Sequence, residues 1–338
     1  MLVVSDREMK FSIIVPVYNR RSEVEELLES LSKQTEKDFE TIIVEDGSVE
    51  DSRGIAERYA ESANVRYFMK KNEGRSAARN YGMERAEGEW LIFFDSDCVI
   101  PETYFEVVKR EIEKGGFDCF GGPDAAADSF TTLQKAINYS MTSFLTTGGI
   151  RGRKKGMEKF LPRTFNMGFT QEVYKRVGDF RDVFGEDIDL SLRIRKAGFT
   201  TVLLPDAFVY HKRRNTIRSF SRQMLVFGRS RVELHLLHPG SMKLVHLLPT
   251  VFMLGSIFLI VSTLFCKWAI VPLLIYYLAL FAEALVKSRS VKVSALALVT
   301  ATIQLWGYSI GFLRSYIKEV LFKIRPDKER EMKRLKFK

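Results

Sequence analysis

Asp95 and Asp97 stand two positions apart at the end of an apolar run, in FFDSDCVIP at residues 93–101, with no arginine or lysine beside them. Like charges that close repel one another unless a cation sits between them, and hard carboxylate oxygens suit Mg²⁺ or Mn²⁺, ions that commonly keep bonds to substrate phosphates. Taken alone, the pair reads better as a solvated turn in which one aspartate caps a helix ahead of Pro101. The elements on either side decide between the two.

Alternating strand and helix signals fill the first 125 residues. Residues 11–17 are apolar and β-branched. Ser22 to Glu25 has the form of a capping box, opening a helix whose Val24, Leu27, Leu28 and Leu31 recur at helical spacing. Further strands are predicted over 41–44, 65–69 and 90–94, and helices over roughly 51–62 and 76–86. That order predicts parallel strands covered by helices, and ligands bind beyond the carboxyl ends of such strands. Tyr18 and Asn19, Glu45 and Asp46, and Asp95 and Asp97 all fall at those ends.

The remaining bulk properties bound the function. A chain of 338 residues that is 46% hydrophobic can hold a large core or two units, and a formal charge of +10 suggests an anionic partner. Cys98, Cys119 and Cys266 are too dispersed for a disulfide framework or a zinc site, which fits a reducing compartment. The first residues lack the pattern of a cleaved export signal, and the start could be Met9.

Near residue 245 the composition turns apolar. Residues 245–266 and 268–286 each approach the roughly 20 apolar residues of a membrane helix, and 293–313 is long enough but interrupted by Thr300, Thr302, Gln304 and Ser309. The KSRSVK loop at 287–292 and the basic C-terminal tail belong on the cytoplasmic side. The expected arrangement is therefore a hairpin of two crossings followed by a re-entrant or interfacial segment. Glu283, an acid inside a span, should face protein or water. Residues 218–231 pattern as an amphipathic helix on the membrane surface, offering Phe220, Met224, Leu225 and Phe227 to the bilayer.

SIIVPVYNR at 12–20, IIVEDGS at 42–48, NEGRSAARNYG at 72–82, GEWLIFFDSD at 88–97, then NMGF and FGEDIDLSLRIRKAG occur in order. Together, over roughly residues 10–215, they resemble the family-2 inverting glycosyltransferases. The resemblance implies an α/β GT-A fold, a mixed and mainly parallel sheet flanked by helices, in a catalytic domain at 1–215. An interfacial linker at 216–244, a transmembrane region at 245–313 and a basic tail at 314–338 would follow.

It also implies roles. Pro16 and Tyr18 would line the nucleotide pocket, and Asp46 would accept from a uracil-type base. Glu45 stands where the family more often has a second aspartate. Arg79 would lie near the base or diphosphate. Asp95 would contact ribose or metal, Asp97 would ligate Mn²⁺ or Mg²⁺, and His211 would be a third metal contact. Asn166 and Gly168 would border the donor sugar. Asp187 would be the general base, with Glu186 orienting it or the acceptor. Capping of a helix by Glu186 and Asp187 explains those acids as well, and Asp189 is expected to pair with Arg193. Arg75 is read as solvated.

The implied partners are a nucleotide-diphospho-sugar, a UDP-sugar for preference, a lipid-linked or membrane-associated saccharide acceptor, and the bilayer, but no nucleic acid. The implied place is the inner membrane, multi-pass, with the catalytic domain in the cytoplasm and a role in surface polysaccharide synthesis. Gln223 is present but no QxxRW motif follows it, which favours addition of one sugar per encounter. Two alternatives remain: transfer to polyprenyl-phosphate itself, and a basic membrane-tethered binding module without catalysis.

Overall fold

The computed structural model describes residues 11–125, 130–148, 160–212 and 214–324. In chain order its elements are β1 (Phe11–Val17), α1 (Arg21–Ser32), β2 (Phe39–Asp46), α2 (Arg53–Arg58), β3 (Val65–Lys70), α3 (Arg75–Met83), β4 (Trp90–Phe93), β5 (Cys98–Val99), α4 (Tyr104–Lys114), β6 (Cys119–Gly121), β7 (Asp124–Ala125), α5 (Thr132–Thr142), α6 (Phe144–Thr147), β8 (Met167–Thr170), α7 (Gln171–Val177), α8 (Glu186–Lys196), β9 (Thr201–Leu203), β10 (Val209–His211), α9 (Ile217–Leu237), α10 (Leu248–Ser262), α11 (Val271–Ser288) and α12 (Val291–Ser315). They fall into two compact units.

The first unit is a seven-stranded sheet in the order β3-β2-β1-β4-β8-β6-β9. All its strands run parallel except β8, which is antiparallel to both β4 and β6. Alternation along β1 supplies both faces of the sheet. Ile13, Val15 and Val17 pack with Val24, Leu27, Leu28 and Leu31 of α1 and with Phe105 and Val108 of α4, while Ile14 joins Phe93, Phe169, Leu190 and Ile194 on the other side. This is the mixed, mainly parallel α/β architecture expected. A second, three-stranded sheet in the order β5-β10-β7 lies beyond the DSD sequence and could not be foreseen from strands so short.

Two local expectations fail. The capping box at Ser22 does not form, because α1 already begins at Arg21; Ser22 Oγ donates to Glu23 and Arg20 pairs with the same carboxylate. In α8 the apolar pattern suits Leu192 and Ile194 to burial, but the buried apolar residues are Ile188, Leu190 and Ile194, with Leu192 only half-buried.

The second unit gathers α5, α6 and α9 through α12. Residues 130–148 thus belong with the C-terminal helices and not with the 1–215 domain expected. The anchoring is polar as well as apolar: Ser140 Oγ donates to Thr300 Oγ1 at 2.9 Å, and Tyr139 of α5 and Ser143, between α5 and α6, donate to Glu283 Oε2 at 2.8 and 2.6 Å. Glu283 faces protein, as an acid in an apolar helix should.

The helix α9 does not offer Phe220 and Met224 to lipid. Both are buried with Ile137 and Met141. Small residues explain the close approach of α9 to α12: a Cβ on Gly228 would meet the Tyr308 carbonyl oxygen at 1.9 Å, and one on Gly311 would meet that of Leu225 at 2.1 Å. Gly307 and Gly311 form a GxxxG spacing, the usual device for bringing apolar helices together.

The apolar segments also divide differently. Two helices, Lys267–Ser288 and Val291–Leu321, are long and apolar enough to cross a membrane, whereas Leu248–Ser262 is shorter. Fifteen residues of helix rise only about 22 Å, less than a hydrocarbon core of roughly 30 Å. The 293–313 stretch expected to turn back is one unbroken helix, because its Thr and Ser hydroxyls bond within the protein, Thr300 to the Ala136 carbonyl and Ser309 to that of Leu305. Of the KSRSVK stretch only Arg289 and Ser290 form the break between α11 and α12, and the tail from 325 lies outside the described residues.

Candidate active site

The carboxyl ends of β1, β2 and β4 carry the polar residues that the sequence singled out, but they do different work there. Glu45 is fully buried and fixes the loop after β2: its carboxylate accepts from the Ser48 hydroxyl and from both the backbone and hydroxyl of Ser52, the residue that opens α2. Asn19, at a positive φ, accepts from the Val49 amide at 3.0 Å and so ties the loop after β1 to the same turn. Pro16 sits in β1 opposite Val44, and Tyr18 just beyond is 40% exposed, open to a ligand. Asp46 is turned inward. Its Oδ1 accepts from Lys70 and the Glu73 amide, and its Oδ2 from the Gly74 amide at 2.8 Å, so its carboxylate shapes the 72–74 loop.

Arg79 is the centre of the site. It is 2% exposed and donates to Asp95 Oδ1 at 2.8 Å and to Glu186 Oε1 at 2.9 Å. Arg75, one helical turn earlier on the same face of α3, also holds Glu186, with Nε 2.6 Å from Oε1 and a second bond of 2.7 Å to Oε2. Arg75 is therefore paired and not merely solvated, because its position four residues from Arg79 aims both guanidinium groups at one carboxylate. Glu186, 3% exposed, is clamped by the two arginines and works as their anchor.

Asp187, the next residue, is differently placed. Its Oδ1 accepts from the Ile188 amide at 2.8 Å and its Oδ2 lies 3.3 Å from Arg163. Burial by itself would raise this carboxyl, but the Arg163 and Arg75 cations more than offset it and hold the group below the usual carboxylate range. Asp189, two residues on, is fully buried and bound to Arg193 at 2.9 Å, as expected.

On the far side of Asp95, β10 runs antiparallel to β5 and sets His211 opposite Cys98. His211 Nε2 lies 3.1 Å from Asp97 Oδ1 and 3.9 Å from Asp95 Oδ2, and its ring stacks on Phe165 with centroids 4.9 Å apart. Asp97, Cys98 and His211 bring ligand atoms within 4.8 Å of one another. Burial, with the charges of Asp97 and Asp95, pushes the Cys98 thiol well up, and it donates to the Phe165 carbonyl. The donor set is thus carboxylate and imidazole, which fits Mn²⁺ or Mg²⁺ better than a thiol-seeking ion.

Gly168 lies in β8, and Asn166 immediately before it. Asn166 is fully buried, accepting from the Tyr104 hydroxyl at 2.5 Å and donating to the Ala207 carbonyl at 2.8 Å. Gly168 makes room for the Phe120 ring, which a Cβ would meet at 2.3 Å.

The family model for glycosyl transferase family 2 matches residues 12–178. Residues 12–178 are a family-2 glycosyltransferase domain. An uncharacterized glycosyltransferase of Rickettsia felis is 39% identical over 110 residues, which are 32% of this chain and 18% of that protein; the chain thus spans under a fifth of that relative's length. Among solved structures, the mannosyltransferase PcManGT of Pyrobaculum calidifontis, in complex with GDP-Man and Mn²⁺, superposes with a TM-score of 0.59 at 16% identity, covering 95% of this chain and 89% of that one. S. aureus TarS 1–349 in complex with UDP-GlcNAc gives 0.50 at 21% identity, covering 91% of each. At such identities these two neighbours speak for the GT-A fold of the family-2 domain, not for its substrates.

Three residues around the site escaped the sequence reading: Arg163, Arg75 in its paired role, and Tyr104. The i, i+4 spacing of Arg75 and Arg79 was visible in the sequence. The approach of Arg163 and Tyr104 depends on tertiary packing.

Proposed function

We propose that this chain is an inverting glycosyltransferase that takes a sugar from a nucleotide-diphospho-sugar to a hydroxyl of a lipid-linked saccharide. The observation that carries the proposal is the joining of Asp95 to Glu186 through the buried Arg79, which sets a carboxylate and imidazole cluster beside the start of α8, where Asp187 stands. Asp95, Asp97 and His211 would hold a divalent cation, which when bound supplies positive charge to the leaving diphosphate.

The chain's own side chains supply the rest. Asp187, ionised between two arginines, accepts the proton of the acceptor hydroxyl as its oxygen attacks the anomeric carbon from the face opposite the diphosphate. One such displacement inverts the anomeric centre. Glu186 holds Arg75 and Arg79 in place, and the exposed Tyr18 is available to the nucleotide. The two long apolar helices among the described residues support a membrane-associated acceptor and a membrane location.

The test is transfer. Full-length protein in membranes is given UDP- and GDP-sugars with Mn²⁺ and a lipid extract, and the anomeric configuration of the product is read by NMR. An inverted linkage, abolished by Asp187→Asn, is expected; a retained configuration or unchanged transfer by the variant contradicts the proposal. Loss of rate in Asp187→Asn also separates a hydroxyl acceptor from polyprenyl-phosphate, which is already ionised and needs little help from a base.

A further inference from the structure

We propose that Arg163 is a positioning residue of this site, held against Asp187 by a pinned turn so that the carboxylate meets the acceptor in one orientation. The inference rests on Asp187 acting as the general base.

The turn is fixed at three points. Asn166 donates its amide to the Arg163 carbonyl at 2.9 Å, closing the turn, and its buried side chain is locked between Tyr104 and the Ala207 carbonyl. Just before the turn, the Pro162 carbonyl accepts from Ser191 Oγ at 2.9 Å. Ser191 is four residues past Asp187 on α8, and so on the same face. The segment that carries Arg163 is therefore docked on the helix that carries the base. From there Arg163 reaches Asp187 Oδ2 at 3.3 Å, while the Ile188 amide holds Oδ1. Both oxygens are oriented from the protein side, and Asn166, whose sequence position suggested the donor sugar, is the anchor of this arrangement.

The charged groups facing Asp187 are Arg163 from the 160–166 segment and Arg75 from α3; beside it on α8, Glu186 is balanced by Arg75 and Arg79. Removing Arg163 leaves burial opposed only by the Arg75 cation and the Ile188 amide. The carboxyl then binds a proton more readily, so the base is lost at a higher pH than in the unaltered protein.

The experiment is the pH profile of kcat/KM for transfer by the full chain, comparing wild type with Arg163→Gln, Arg163→Lys, Tyr104→Phe and Asp187→Asn, with nucleotide binding as the check on folding. Expected are an acid limb moved up by roughly one pH unit in Arg163→Gln, its return toward wild type in Arg163→Lys, and a smaller upward movement in Tyr104→Phe, with nucleotide binding unchanged. An Arg163→Gln protein that loses rate equally at every pH overturns the proposal and leaves Asp187 as the base. An Asp187→Asn protein with wild-type transfer overturns both.

Discussion

Arg79 lies 2.9 Å from Glu186 across 107 residues of sequence, and both side chains are almost fully buried. With Asp95 on its other nitrogen, Arg79 balances two carboxylates that would otherwise face one another in a poorly solvated site. Taking one partner from such a network leaves a buried charge uncompensated. Arg79→Ala should therefore destabilise the protein by about 3–5 kcal/mol, measured by denaturant unfolding. Arg79→Lys should recover only part of the loss, since an ammonium group cannot fork to both acids. Wild-type stability in Arg79→Ala would show that the network contributes nothing.

Glu186 and Asp187 are neighbours with opposite assignments. Asp187→Asn should cut transfer by roughly 100-fold or more with nucleotide binding intact, whereas Glu186→Gln should loosen the Arg75 and Arg79 clamp and weaken nucleotide binding and stability together. Parallel kinetics and calorimetry on the two variants check this. The reverse pattern would make Glu186 the base.

The sheet has its own titrating lock. Glu40, 1% exposed, accepts from Ser12 Oγ and the Glu87 amide at 2.7 Å each and from Arg66 at 2.6 Å. Burial raises its carboxyl, but these donors together with the Arg66 charge lower it further than burial raises it. A carboxyl lowered by folding stabilises the native state fully above its unfolded pKa of about 4.3, and that contribution fades as the pH falls through the folded value. Glu40→Gln should cost about 2 kcal/mol near neutrality, and the gap to wild type should close in acid. Urea titrations at pH 7 and pH 3 would reveal a gap of constant size if this account is wrong.

In the helical unit, Gly228→Ala places a methyl group against the Tyr308 backbone. Overpacking of this kind costs about 1–3 kcal/mol, read as a lowered melting temperature in detergent. Gly255→Ala, inside α10 where a Cβ meets nothing within 4 Å, is the matched control and should not lower the melting temperature, helix propensity favouring a slight rise.

Local patterns carried much of the fold. The β1 strand was legible as an apolar run, and the helix of α1 as a 3.6-residue period, because both are properties of adjacent residues. The acids at strand ends were legible for the same reason. What stayed hidden depends on distant pairing: the three-stranded sheet that brings His211 to Asp97 is built from strands of two and three residues, and the capture of Asp46 by the 72–74 loop and of Asn166 by Tyr104 leaves no mark in local composition. The membrane segments were misdivided because hydropathy measures apolarity, whereas helix ends are set by caps and by Pro249 and Pro272 at the first turns of α10 and α11.

The most direct test of the central claim is calorimetric binding of UDP and of GDP to the full chain, with and without Mn²⁺, in wild type, Asp97→Ala and His211→Ala. The account predicts binding of one nucleotide that requires the metal and is lost in Asp97→Ala and weakened in His211→Ala. Binding that is absent, or that ignores both the metal and the two substitutions in well-folded protein, would contradict it.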